Sequence, residues 1–251
     1  MSDIIFDKQR FIDLANMSYN NTRYAFTNFL SMAELSEFHA VEDEVRYAYP
    51  VVYGGCEIAE RKMIRFGNPS DIGYEEDFAI SLMVISPVAA KFADALTHRD
   101  FLGALMNLGI KREMLGDIFV KNNEAYVFCN SVMTDYIREN LTRIKHTTVV
   151  TRVCESLDEY EAPKPVEKII QVSSVRIDAV TARVYNLSRG DSLELFTNGL
   201  VFLNGRACTE NAKALKNGDV ISVRGHGRYI FDELINTSKK GKENCRILVY
   251  K

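Results

Sequence analysis

The stretch from Glu155 to Glu167 is acidic, carries two of the chain's five prolines (Pro163 and Pro165) and shows no sustained apolar period. It predicts a stiff linker, here placed at 155–169, rather than a helix. This break constrains the fold most, because each side of it has to bury a core of its own. Charge changes across it too. Residues 163–251 carry 15 basic and 9 acidic side chains, a net of +6, whereas residues 1–162 carry 16 and 25, a net of −9. The overall net of −3 therefore conceals a basic segment, the pattern of a module that meets nucleic acid or an anionic surface. With 47% apolar and 26% charged residues, the composition is that of a globular protein.

Several classes fall away. The five cysteines (Cys56, Cys129, Cys154, Cys208 and Cys245) are scattered, odd in number and never at C-x-x-C spacing, so neither a disulfide framework nor a zinc site is expected. The first residues lack the basic-then-apolar layout of a signal peptide. The longest apolar run, Phe78 to Ala90, is broken by serines and Pro87 and is too short for a membrane span. The expectation is a cytoplasmic protein without metal or other cofactor.

Periodicity predicts an α+β chain. Residues 1–75 read as mostly helical, with apolar spacing through Phe11, Leu14 and Ala15 and again from Thr27 to Val41. Residues 76–154 read as a strand (Phe78–Ile85), a helix (Asp100–Leu108), a hairpin turning at Asn122-Asn123, a helix from Ser131 to Ile144 and a closing strand (Thr147–Val153). This is the β-α-β-β-α-β order of ferredoxin-like, RRM-like domains. Residues 170–251 read as a small α/β domain. A helix runs from Arg176 to Tyr185 and a second starts at Ser188, which with Asp191 forms a capping box. An Asn204-Gly205 hairpin and strands Val220–Arg224 and Arg246–Tyr250 follow.

No catalytic constellation stands out. His98-Arg99-Asp100 spells a kinase tripeptide, but Leu105 stands where that motif needs Asn and no Asp-Phe-Gly follows. Gly225-His-Gly227 lacks the third glycine and the helix of a dinucleotide fingerprint. Tyr126 and Phe128 share one face of a strand, as base-stacking aromatics do, yet the basic and glycine residues of the RRM signature are missing. Packing against a neighbouring domain is the better expectation for them. The C-terminal arginines Arg176, Arg183, Arg189 and Arg206 are a different matter. Each alone reads as a solvated charge, but together with the helix start at Ser188 they suit phosphate oxygens.

The run Arg176-Ile-Asp-Ala-Val, Leu187-Ser-Arg189, Asn198-Gly-Leu-Val-Phe-Leu-Asn-Gly205 and Gly218-Asp-Val-Ile-Ser-Val-Arg-Gly225 resembles the S4-type (alpha-L) RNA-binding motif. That resemblance implies RNA-facing positions at Arg176, Ser188, Arg189 and the stretch Asn198, Leu200 to Asn204. Gly190-Asp191 and Leu200 depart from the motif's usual small polar and basic residues. With the module's other cations, Arg183, Arg206, Arg224 and Arg228, these form the candidate RNA-binding set.

More widely, Gly54-Gly-Cys-Glu-Ile-Ala-Glu-Arg61, the block from Thr97 to Asp117 and Arg224-Gly-His-Gly-Arg228 resemble the bacterial YlmH family. This implies a non-enzymatic RNA-binding protein with a helical N-terminal part, an RRM-like middle and an S4-type C-terminus. It also implies a role in ribosome-associated quality control on large subunits that hold peptidyl-tRNA, and a link to cell division. The partner expected is rRNA or tRNA. The alternatives are an RNA-modifying enzyme that uses the S4-type module for delivery, and a protein adaptor that binds its partner through the acidic N-terminal half.

Overall fold

A computed structural model describes residues 8–154, 164–238 and 240–250. The chain forms two compact units that divide between Glu161 and Ala162. Most of the expected linker, 155–163, lies outside the described residues.

The first unit opens with α1 (Lys8–Asn21), β1 (Ala25–Phe26), α2 (Met32–Val41), β2 (Val51–Tyr53), β3 (Met63–Phe66) and the single turn α3 (Pro69–Ile72). The mostly helical reading of residues 1–75 thus needs correction. β1, β3 and β2 form an antiparallel sheet in that order, and α2 starts at Met32 rather than near Thr27. Ser31 sets that start, because its hydroxyl accepts from the Glu34 N–H while the Glu34 carboxylate accepts from the Ser31 N–H. Phe11, Phe38 and Phe66 pack edge to face in the core between helices and sheet.

There follow β4 (Ile80–Pro87), α4 (His98–Asn107), β5 (Leu115–Lys121), β6 (Glu124–Asn130), α5 (Thr134–Asn140), β7 (Arg143–Ile144) and β8 (Thr147–Cys154). They make one antiparallel sheet in the order β5-β6-β4-β8-β7. Asn122 and Asn123 turn the β5–β6 hairpin, both left-handed at φ 52° and 67°. α5 is shorter than expected. Asn130, not Ser131, caps a 3-10 turn at Ser131–Met133 that precedes it, α5 itself starts without a side-chain cap, Val132 is solvent-exposed, and Leu141 and Ile144 are buried beyond the helix. The chain leaves the helix at Leu141 because it has to turn into the β7–β8 hairpin.

The two faces of this sheet meet different neighbours. Met83, Ile85, Val127 and Cys129 pack under α4 and α5 with Phe101, Leu105 and Ile137. Leu82, Val84, Tyr126 and Phe128 pack against Phe29 and Met63 from the N-terminal elements. Residues 1–75 and 76–154, which the sequence pattern divides, therefore share a core in one unit. Arg61 fastens them: its guanidinium donates to the carbonyls of Phe29, Leu115 and Arg112. The Asp117 carboxylate accepts from the Glu60 and Arg61 N–H groups at 2.6 and 3.1 Å. Burial pushes the Asp117 carboxyl above its ordinary value, against the pull of those N–H groups and of Arg112.

The second unit holds β9 (Val166–Val172), α6 (Ile177–Tyr185), α7 (Arg189–Thr197), β10 (Val201–Leu203), β11 (Arg206–Ala207), β12 (Asp219–Val223), β13 (Gly227–Thr237) and β14 (Glu243–Tyr250). Its antiparallel sheet runs β11-β10-β12-β13-β14-β9. Two strands differ from the sequence reading. β9 occupies what reads as the end of the linker; among the described residues it is an edge strand that pairs with β14 alone, and it buries Ile170 and Val172, so its pattern is weakly apolar. β13 escapes notice because register shifts after Phe231 and Leu234 break its alternation. Both helices cover one face of the sheet, with Ile177, Val180, Val184, Leu195 and Phe196 packed on Tyr229, Phe231 and Ile247.

Three predictions test the first unit. Asp117→Ala leaves two N–H groups without their acceptor and should cost about 2–4 kcal/mol of unfolding free energy. Gly116→Ala places a Cβ 2.7 Å from the Phe29 ring and 2.9 Å from the Phe128 Cβ. It should cost about 1–3 kcal/mol, both variants being read by urea titration. The third concerns pH. Lys145, and then the Thr97 N–H and hydroxyl, hold the Asp100 carboxyl down to about 2, below its ordinary 3.8. A depressed folded value means that this stabilisation is complete above about pH 4 and is lost as pH falls toward 2. The melting-temperature gap between wild type and Asp100→Asn should close over that window.

Candidate nucleic-acid interface

The capping box that starts α7 is present as expected: Ser188 Oγ accepts from the Asp191 N–H at 3.1 Å, and Asp191 accepts from the Ser188 N–H at 3.2 Å. It leaves Arg189 exposed on the first helical turn. α6 begins one residue later than its arginine. Arg176 is extended, at φ −97° and ψ 144°, and its guanidinium grips the Asp178 carboxylate with two bonds of 3.1 and 2.7 Å. Arg176 and Arg183 therefore do not form the helical stripe that their spacing of seven suggests. Asp178 is almost fully buried and holds the nearer arginine for the fold.

The sheet divides the remaining candidates between two ends. At one end the Arg224 N–H donates to the Leu200 carbonyl, two residues beyond Asn198, which caps α7. Arg224 and Arg228 flank the β12–β13 turn, whose His226 ring lies 5.2 Å from that of Tyr185 at the end of α6. At the other end Asn204 and Gly205 turn the β10–β11 hairpin at φ 51° and 78° and present Arg206. Here the Ile177 N–H donates to the Lys213 carbonyl and the Lys216 N–H to Asp219, which also accepts from the Asn204 amide. Five-residue β12 separates the ends by roughly 13–17 Å at about 3.3 Å per residue. The cations at these two ends thus make two groups.

Several candidates are spent on structure. Leu200 is half-buried and packs on the core, because Gly199, at φ 63°, turns the chain directly into β10. Both ends of the Asn204 amide are used, one on Asp219 and one on the Val220 N–H. The Arg228 guanidinium lies over the Tyr250 ring, 4.6 Å from its centre. Arg183, Arg189 and Arg224 remain exposed without an ion pair among the described residues. A groove of about 390 Å³ runs beside Arg183, between Gln171–Ser173 and the α6 residues Ala179 and Ala182. Sequence reasoning missed Lys213 and Lys216. They lie in a stretch without regular period, and only long-range pairing to Arg176 and Ile177 shows their place.

Among the described residues no group of three or more His, Cys, Asp or Glu side chains is arranged to hold a metal ion, and no helix is long and apolar enough to cross a membrane. Burial pushes the Cys129 thiol up to about 12 and raises those of Cys208 and Cys245 as well, so these thiols are poor nucleophiles at neutral pH.

Fold and site together define a two-unit α+β protein whose second unit displays unpaired guanidinium groups. A family model described as "Putative RNA-binding domain in YlmH" matches residues 74–158. The chain is 30% identical over 243 residues to the ribosome-associated protein quality control protein P2 of Bacillus subtilis, covering 94% of this chain and 93% of that one. A solved structure, the cell division protein ylmH from Streptococcus pneumoniae, aligns with a TM-score of 0.46 at 19% identity over 64% of this chain and 98% of its own. The chain belongs to the YlmH family.

Proposed function

We propose that this protein binds structured RNA, without catalysing a reaction, and that it works in the cytoplasm on the ribosome with large-subunit rRNA or tRNA as its ligand. The observation that carries the reading is the set of exposed cations on the second unit without an ion pair among the described residues: Arg224 at one end of the sheet, Lys213 and Lys216 at the other, Arg183 on α6 and Arg189 on the first turn of α7. Guanidinium forks bind phosphate oxygens through paired hydrogen bonds, and the N–H groups at a helix start add partial positive charge. We read the α6–α7 pair with its hairpin as an S4-type module. The match to an RNA-binding family model and the name of the Bacillus subtilis relative support the RNA and ribosome parts of the reading.

Phosphate contacts make affinity fall with salt by about 0.7–0.9 of a log unit per contact for each decade of salt. Arg189→Glu and Arg224→Glu should each weaken tRNA or rRNA binding about tenfold or more and flatten the salt slope by about one. Arg176→Gln should lower the melting temperature while changing the slope less, since its guanidinium serves Asp178. Sedimentation of cell lysate provides the second check. Co-migration with large subunits, lost in Arg189→Glu, is the expected result, and migration as free protein in both forms refutes the ribosomal part.

A further inference from the structure

We infer that the first unit carries its own RNA contact, a cleft on the helical side of the five-stranded sheet that receives the phosphodiester backbone. The inference rests on the RNA-binding reading above and assigns that activity a place within residues 74–158. Base stacking on the sheet is closed off, because Tyr126 and Phe128 are buried against Phe29 and Met63. What the sheet leaves open is a concavity of about 410 Å³ between α4 and the segment from Asn140 to Lys145, within the range of small-ligand pockets.

The cleft has the chemistry of a phosphate seat. Arg99 and Asn107 line it from α4, and Asn140, Arg143 and Lys145 line it from the other side. Arg99 and Arg143 are exposed and have no ion pair among the described residues. Asp100 is the acid among the lining residues, and its charge is already met: Lys145 Nζ lies 2.7 Å away, and the Thr97 N–H and hydroxyl each donate to it at 2.8 Å. Asp100 therefore orients Lys145, and the two arginines leave the cleft positive. The β7–β8 pairing holds Lys145 at its turn with a left-handed φ of 52°, a conformation that a lysine rarely adopts.

Gly103 is the second, independent observation. It lies in the middle of α4, where glycine weakens a helix relative to alanine. An added Cβ would have nothing within 4 Å, so no packing inside the protein requires a glycine there. Because Gly103 also lines the cleft, its bare backbone lets a ligand come closer than any side chain would allow.

The test uses the full-length chain, fluorescein-labelled tRNA and anisotropy from about 50 to about 200 mM KCl. Gly103→Leu fills the cleft without changing charge and should weaken binding at least about fivefold while the urea midpoint stays at or above wild type. Arg99→Gln with Arg143→Gln should weaken it about tenfold and flatten the salt slope by about 1–2, the share of two phosphate contacts. If both variants keep wild-type affinity and slope while Arg189→Glu loses them, the cleft is overturned and the RNA-binding reading stands. If the wild type itself binds without salt dependence, that reading fails and the cleft with it.

Discussion

The seat of the N-terminal elements on the sheet is the constraint from which the rest of this molecule follows. Arg61 ties three carbonyls from two distant stretches, and Asp117 caps the N–H groups of Glu60 and Arg61. A half-buried arginine and aspartate are costly to desolvate, and hydrogen bonding is what makes such a joint tolerable. Glycines make it close: a Cβ at Gly55 would lie 2.3 Å from the Phe128 ring, and one at Gly116 would meet Phe29 and Phe128 together. The sheet's aromatic face is therefore core. Among the described residues of this domain, 74–154, that leaves the helical side and the rim of the sheet for function.

In the second unit, the useful distinction is between cations that hold the fold and cations that are available. Arg176 serves Asp178, Arg246 serves Glu167, Asp232 and Glu233, and Lys168 donates to the Val184 carbonyl at the end of α6. A net charge of +6 for residues 163–251 therefore overstates what a polyanion meets. The exposed, unpaired subset is smaller and sits at both ends of a short strand. Such spacing suits several phosphates along a backbone better than one compact anion.

Legibility in the sequence followed how local the cause was. The capping box at Ser188, the Asn204-Gly205 turn and the double-asparagine turn at Asn122 are set by residues within four positions of one another, and all three stand where the pattern puts them. The strand at Val166–Val172 did not announce itself, since its partner β14 begins some seventy residues later and its outer edge is unpaired. Arg176 misled for a similar reason: its spacing to Arg183 is helical, but its partner Asp178 takes it off the helix surface. The Arg61 and Asp117 blocks were visible as family-like strings, yet their chemistry became clear only once the fold placed them against each other. At the candidate interface, charge was legible from sequence, but which charges are free was not.

An acidic first unit can still bind RNA, because screening makes electrostatics local. At physiological ionic strength the Debye length is about 8 Å, so a phosphate in the α4 cleft responds to Arg99, Arg143 and Lys145 far more than to acids elsewhere on the chain. Six of those acids stand in two runs, Glu42-Asp43-Glu44 and Glu75-Glu76-Asp77, and none of these six lines the cleft. Asp100, the one acid that does line it, is bound to Lys145. Net charge by segment is thus a sound guide to which unit meets RNA only where the charges are evenly spread. In the first unit the cleft's lining holds three cations, Arg99, Arg143 and Lys145, against one acid, Asp100, with Asp94 acting on Lys145 from beside it, so the local balance differs from that of the segment.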